Sequence, residues 1–175
     1  MRYFTSDLHI GHKNVIEYCS RPFPDLDMMA EMLLWNWNKV VKPEDTVYVL
    51  GDVSFTSTTR TKAVIQSMDG TKILVRGNHD GKPSRCLNWG FDLVVNRADI
   101  MIQDRRFILS HYPYRDDRFP ERAPTDKGQW LLHGHTHSKE RHTKGSRMIH
   151  VGVDAWDYTP VGEDIIYEIS KGRST

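Results

Sequence analysis

The sequence predicts an α+β chain whose first half is of α/β type and whose second half adds another β-sheet. Residues 1–80 alternate strand, helix, strand, helix, strand, and each strand-like run breaks into polar, ligating residues, the βαβ pattern of a sheet with a site at its strands' carboxyl ends. Beyond Gly81 the alternation gives way to short β-rich segments joined by polar pairs. That change predicts hairpins and a second, more antiparallel sheet.

Residues 2–6 form the first strand and run into Asp7-Leu8-His9. Gly11-His12-Lys13-Asn14 turns the chain, residues 15–19 suit a short helix, and Arg21-Pro22-Phe23-Pro24 makes a loop, because proline lacks a backbone donor and restricts the residue before it. Asp25 is the expected N-cap of a long helix. In it Met28, Met29, Met32, Leu33, Trp35, Trp37 and Val40 make a broad apolar face expected to pack in the core. Lys42-Pro43-Glu44-Asp45 closes that helix. Residues 46–50 are the second strand, ending in Gly51-Asp52; residues 57–68 are weakly helical; Asp69-Gly70 turns the chain into the third strand at 72–75. This strand delivers Gly77-Asn78-His79-Asp80, the stretch around which the chain is organised.

In the second half, residues 91–95, 98–102 and 105–109 are β-rich, and the last ends in Ser110-His111-Tyr112-Pro113. Residues 114–128 are polar and are expected to lack regular structure. Residues 129–133 are strand-like and end in Gly134-His135-Thr136-His137. Residues 147–151 and a closing strand around Ile165-Ile166-Tyr167 complete the pattern.

A chain of 175 residues suits a single domain, 1–175, with one sizeable core. Lys plus Arg is 24 against 23 for Asp plus Glu, a formal charge of +1, so the basic excess of a dedicated duplex-binding protein is missing. With no leader ahead of the first strand pattern, Cys19 and Cys86 are expected as free thiols in a reducing cytoplasm. No apolar run approaches the roughly 20 residues that a membrane span requires.

Histidine is the unusual component, with nine copies. Asp7 and His9 are two apart, which on an extended segment puts both on one side, and His135 and His137 repeat the spacing. Together with Asp52, Asn78 and His111 they form a set of oxygen and imidazole ligands without cysteine, which suits Mn²⁺, Fe, Zn²⁺ or Ni²⁺ better than a sulfur-bound zinc. The set is too large for one ion and suits two that share a carboxylate. Two ions about 3.5–4 Å apart clamp a phosphoryl group and generate hydroxide at neutral pH. His79, beside this set, is the candidate general acid, with Asp80 expected to hold its tautomer. Asn78 and His12 are candidate substrate contacts.

At these residues the sequence resembles the calcineurin-like metallophosphoesterase superfamily. Its blocks occur in order as Asp7-Leu8-His9, Gly51-Asp52-Val53, Gly77-Asn78-His79-Asp80, Ser110-His111-Tyr112-Pro113 and Gly134-His135-Thr136-His137. The stretch from Phe4 to Ile16, Arg21-Pro22-Phe23 and Val151-Gly152-Val153-Asp154-Ala155-Trp156 look like a compact bacterial and phage branch, which more often carries an acidic residue at the place of His150. The resemblance implies a four-layer αββα sandwich, two mixed sheets face to face with helices outside. It also implies one metal on Asp7, His9, Asp52 and His137 and another on Asp52, Asn78, His111 and His135, with His79 as the catalytic histidine.

The leading expectation is a phosphoesterase using two divalent ions, Mn²⁺ first among them, on a small or nucleotide-like ester. A nuclease is the rival, because Lys139, Arg141, His142, Lys144 and Arg147 form a basic run beside the His135–His137 ligands, although such a run is more often a solvated loop. A non-catalytic interaction scaffold is the third reading. The complete ligand set and His79 argue against it.

Overall fold

The computed structural model describes residues 1–172. The first sheet has the order β4-β3-β2-β1-β9, from β1 (Arg2–Thr5), β2 (Thr46–Val49), β3 (Thr71–Val75), β4 (Leu93–Val95) and β9 (Val161–Gly162). Its first four strands are parallel, and β9 runs antiparallel to β1. The second sheet has the order β5-β6-β7-β8, from β5 (Ala98–Ile102), β6 (Arg105–Leu109), β7 (Trp130–His133) and β8 (Met148–His150). The helices are α1 (Lys13–Tyr18), α2 (Leu26–Val40), α3 (Thr58–Gln66), α4 (Pro83–Trp89) and α5 (Glu163–Ser170).

The apolar runs of β1 to β3 arise because both faces of this sheet are covered. Val47, Val49 and Leu74 share one buried cluster with Met29, Leu33 and Trp37 of α2, Ile65 of α3 and Trp89 of α4. Phe4, Leu50 and Val75 share another with Phe107, Leu109, Leu132 and Ile149 of the second sheet. The molecule is therefore two mixed sheets face to face with helices outside. Asp25 caps α2, its carboxylate accepting from the amides of Asp27 and Met28 at 2.9 and 2.8 Å.

Four expectations are corrected. Residues 91–95 do not belong to the second sheet: β4 pairs in parallel with β3, reached through α4, a helix absent from the sequence reading. Its signals were Pro83 in the first turn and Gly90 after the last, at φ 109°, but only Cys86 and Trp89 are buried, so its apolar period is too short to register. The second sheet has one antiparallel pair, β5 with β6, whereas β6 with β7 and β7 with β8 are parallel. The run at 165–167 is helix rather than strand, because Ile166, Ile169 and Ser170 are buried at helical spacing and Glu163 and Asp164 complement the dipole of the first turn. Finally, α2 buries only a narrow stripe, Met29, Ala30, Leu33 and Trp37; Met28 and Trp35 are 42% and 70% exposed. No helix among the described residues is long and apolar enough to cross a membrane.

Candidate metal centre

Every ligating block lies just past the carboxyl end of a strand: β1 leads to Asp7 and His9, β2 to Asp52, β3 to Asn78 and His79, β6 to His111, and β7 to His135 and His137. Asp7, His9, Asp52, His135 and His137 all have positive φ, from 51° to 69°. The segments after β1 and β7 are therefore not the extended runs that the two-residue spacing suggested. Left-handed backbone costs a non-glycine residue energy and persists where the surroundings enforce it, typically at functional sites. Between Asp7 and His9, Leu8 is buried in the helix-side core. At Gly77 a side chain would strike the Asp52 carboxylate, and at Gly134 it would strike Ser6 and Asp7, so these two glycines let the backbone approach the ligands.

The seven predicted ligands come together in two groups that meet at one oxygen. Around the first, His9 Nε2 lies 3.9 Å from Asp7 Oδ1 and 3.7 Å from Asp52 Oδ2, and His137 Nε2 lies 3.9 Å from Asp7 Oδ1. Around the second, His111 Nε2 lies 3.5 Å from Asp52 Oδ2 and 3.1 Å from both Asn78 Oδ1 and His135 Nδ1. Asp52 Oδ2 belongs to both.

Hydrogen bonds behind the ligands orient their lone pairs inward. His111 Nδ1–H donates to the Leu50 carbonyl at 2.7 Å, leaving Nε2 as an acceptor. His137 Nδ1 lies 2.9 Å from Asp154 Oδ2, and His135 Nε2 lies 3.0 Å from Asp116 Oδ2. With those outer nitrogens protonated, imidazole lone pairs, the Asn78 oxygen and the carboxylates all face the same two points. His9 is buried with neither ring nitrogen hydrogen-bonded. Acceptors converging on acceptors are repulsive unless a cation lies among them, so the residues fit divalent metal.

The electrostatics agree. Burial pushes the Asp52 carboxyl up to about 7, despite His111, and Asp7 and Asp80 raise it further. Asp7 is also desolvated, but His111, His137 and His9 hold it below the ordinary carboxylate range. Burial lowers His9 to about 3 and His135 to about 4, which favours the neutral imidazole that metal binding requires. Burial opposes charge on His137 too, but its hydrogen bond to Asp154 and the negative charges of Asp7 and Asp154 together outweigh this and raise its pKa.

His79 stands beside the two groups. Its side chain is 45% exposed, with Nε2 3.8 Å from Asp52 Oδ2. Asp80 does not hold the His79 ring. Its carboxylate accepts from the amides of Asp52 at 3.0 Å, Val53 at 2.9 Å and Gly77 at 2.7 Å, so it locks the β2 and β3 loops together. His12 lines the cleft, its ring 4.2 Å from that of Phe55.

Three contributors escaped the sequence reading. Arg21 donates to both carboxylate oxygens of Asp154, at 2.8 and 3.0 Å, and to the carbonyls of Asp7 and Leu8, at 2.8 and 3.1 Å. It ties the first ligand loop to the carboxylate behind His137. Arg21 and Asp154 lie in blocks that the resemblance marked without a role, and Asp116 lies in the loop expected to be irregular. We expect Asp154→Asn to weaken Mn²⁺ binding about 10- to 100-fold, the usual worth of a carboxylate behind a metal-ligating histidine. Unchanged affinity in a Mn²⁺ titration would remove Asp154 from this role.

A family model described as the calcineurin-like phosphoesterase superfamily domain matches residues 4–158. The chain is 31% identical to an uncharacterized protein of Methanocaldococcus jannaschii over 181 residues, covering 98% of this chain and 92% of that one. It is 35% identical to the gene 66 protein of Mycobacterium phage L5 over 194 residues, covering 95% and 92%. A crystal structure of a protein of unknown function from Aquifex aeolicus superposes with a TM-score of 0.77 at 30% identity, covering 97% of this chain and 98% of that one. An archaeal phosphodiesterase shares the fold with a TM-score of 0.50 at 16% identity, covering 86% and 81%.

Proposed function

Because the chain belongs to the calcineurin-like phosphoesterase superfamily, we propose that it hydrolyses a small, nucleotide-like phosphoester with two divalent cations. The observation that carries this reading is Asp52 Oδ2, which lies within 3.7 Å of His9 in one ligand group and 3.5 Å of His111 in the other. Asp7, His9, Asp52 and His137 would hold one cation and Asp52, Asn78, His111 and His135 the second, with Mn²⁺ the first candidate and Fe, Zn²⁺ or Ni²⁺ the alternatives. Bound cations there supply Lewis acidity to the phosphoryl oxygens and lower the pKa of water.

The protein's own groups do the rest. His79, exposed at the cleft, gives a proton to the departing alkoxide, and Asn78 on the same turn presents its amide to the phosphate. Phe55, Arg118 and Phe119 wall the cleft, whose volume is about 470 Å³. Such a space matches a small ester.

Arg141 and Arg147 of the basic run are committed within the protein, which speaks against a track for a polymer. Arg141 donates to the Ala155 carbonyl at 2.8 Å and stacks on Trp156, while Arg147 faces Asp126. We expect Mn²⁺-dependent turnover of a mononucleotide-sized ester with a KM that responds weakly to salt. A strand held through several phosphates would instead lose affinity by about 0.7–0.9 log units per log unit of salt for each phosphate neutralised. The measurement is KM against salt for both substrate sizes, with Lys139→Ala, Arg141→Ala and Lys144→Ala combined. Oligonucleotides as the better substrates, with a steep slope that this triple variant flattens, would replace the small-substrate reading with a nuclease.

A further inference from the structure

Next to His79 the cleft carries a strip of rings that neither core uses. Phe55, 38% exposed, has its ring 4.6 Å from His79 and 4.2 Å from His12, and stacks on His9 at 5.1 Å with an interplanar angle of 18°. Beyond His12, at 6.0 Å, comes Tyr18, 66% exposed. The strip thus begins at the first ligand group and ends in solvent. His12 separates the two rings, tilted 39° to Phe55 and edge-on at 62° to Tyr18, so Phe55 is the ring beside the polar centre and Tyr18 the outer edge of the strip. Leaving both exposed forgoes burial and suits a ligand with a flat apolar part.

The side of the cleft at His135 adds charged groups to the ring of Phe119, whose centroid lies 5.6 Å from that of His135. Asp116 Oδ1 accepts from the amides of Arg118 and Phe119, both at 2.9 Å, and its Oδ2 lies 3.0 Å from His135 Nε2. Arg118 Nη2 lies 3.2 Å from that same nitrogen. If His135 Nε2–H donates to Asp116, it has no lone pair for Arg118. The guanidinium then lies beside the second ligand group with no other partner among the described residues, so its donors are free for an anion.

We infer that this cleft is a nucleotide site in which the base lies against Phe55, with Tyr18 at its outer edge, and Arg118 takes a phosphate oxygen at the second ligand group. The inference rests on the proposed phosphoesterase reading for the place of the phosphate. Since His79 touches both the strip and the cleft, the group it protonates is the one resting on Phe55. The nucleoside is therefore the departing alcohol: the P–O ester bond breaks, the proton from His79 goes to the nucleoside oxygen, and water supplies the new oxygen on phosphorus.

The test is calorimetric binding to the Mn²⁺-loaded protein of two phosphonate analogues, one of AMP and one of ribose 5-phosphate, whose P–C bond hydrolysis cannot break. Stacking of one base on aromatic side chains predicts a preference for the AMP analogue of about 10-fold or more. Tyr18→Ala, an outer change, should narrow that gap while leaving Mn²⁺ stoichiometry and the ribose analogue's affinity unchanged, and Phe55→Leu, which keeps an apolar side chain but removes the ring, should narrow the ratio of the two affinities further. Equal affinities in the unmutated protein, or a gap that survives both changes, would overturn the assignment. The measurement needs no turnover, so it is separable from the phosphoesterase reading: loss of hydrolysis with an intact base preference would sink that reading and leave this site standing.

Discussion

His79→Ala should keep the fold and the Mn²⁺ stoichiometry and lose about 10²–10⁴ in turnover, the usual worth of a positioned general acid. The fold is spared because the side chain is 45% exposed and belongs to neither buried cluster, and the loop is held by the main-chain amide of His79, which donates to Asp52 Oδ1 at 3.1 Å and survives the change. The metal groups are spared because their donors are other side chains. What is lost is the proton for the departing alkoxide, so the deficit should shrink for esters with acidic leaving groups, which need little protonation. Turnover of a series of esters graded by leaving-group pKa checks this. A deficit constant across the series would assign His79 to phosphate binding or site order instead.

Asp52→Asn should be the most damaging single change, at or above the ~10⁴-fold upper end expected for a general acid, because one oxygen serves both ligand groups. Metal content after Mn²⁺ reconstitution should fall from two per chain to one or none. In the metal-free protein the change should cost little, since burial already pushes this carboxyl up to about 7 and an amide has no charge to desolvate. The melting temperature without metal should therefore hold, while the rise produced by Mn²⁺, which stabilises only the state that binds it, should largely vanish. Thermal melts with and without Mn²⁺ separate these effects. An unmutated protein that saturates at one ion per chain would remove the two-cation mechanism.

The sequence alone determined the features written in local pattern. Each strand-end break is a short apolar run followed by polar residues of ligand type, with glycine at several of them, so Asp7, His9, Asp52, Asn78, His111, His135 and His137 were legible as candidate ligands before any contact was known, and the Asp25 cap of α2 was legible too. Only the tertiary structure decided what depends on partners distant in the chain. It put β4 beside β3 through a helix with little apolar period, and wound Ile165-Ile166-Tyr167 into α5 because the buried positions recur at helical rather than alternate spacing. It left Met28 and Trp35 of α2 exposed, since the width of a buried stripe is set by what packs against it. It also redirected Asp80 from His79 to three backbone amides, and brought Arg21, Asp154 and Asp116 behind the ligands. Candidate ligands announce themselves by type and spacing. The groups that orient them do not, because a single charged residue in a loop reads alike whether it faces water or, as Arg21 and Asp154 do, meets its partner 133 positions away.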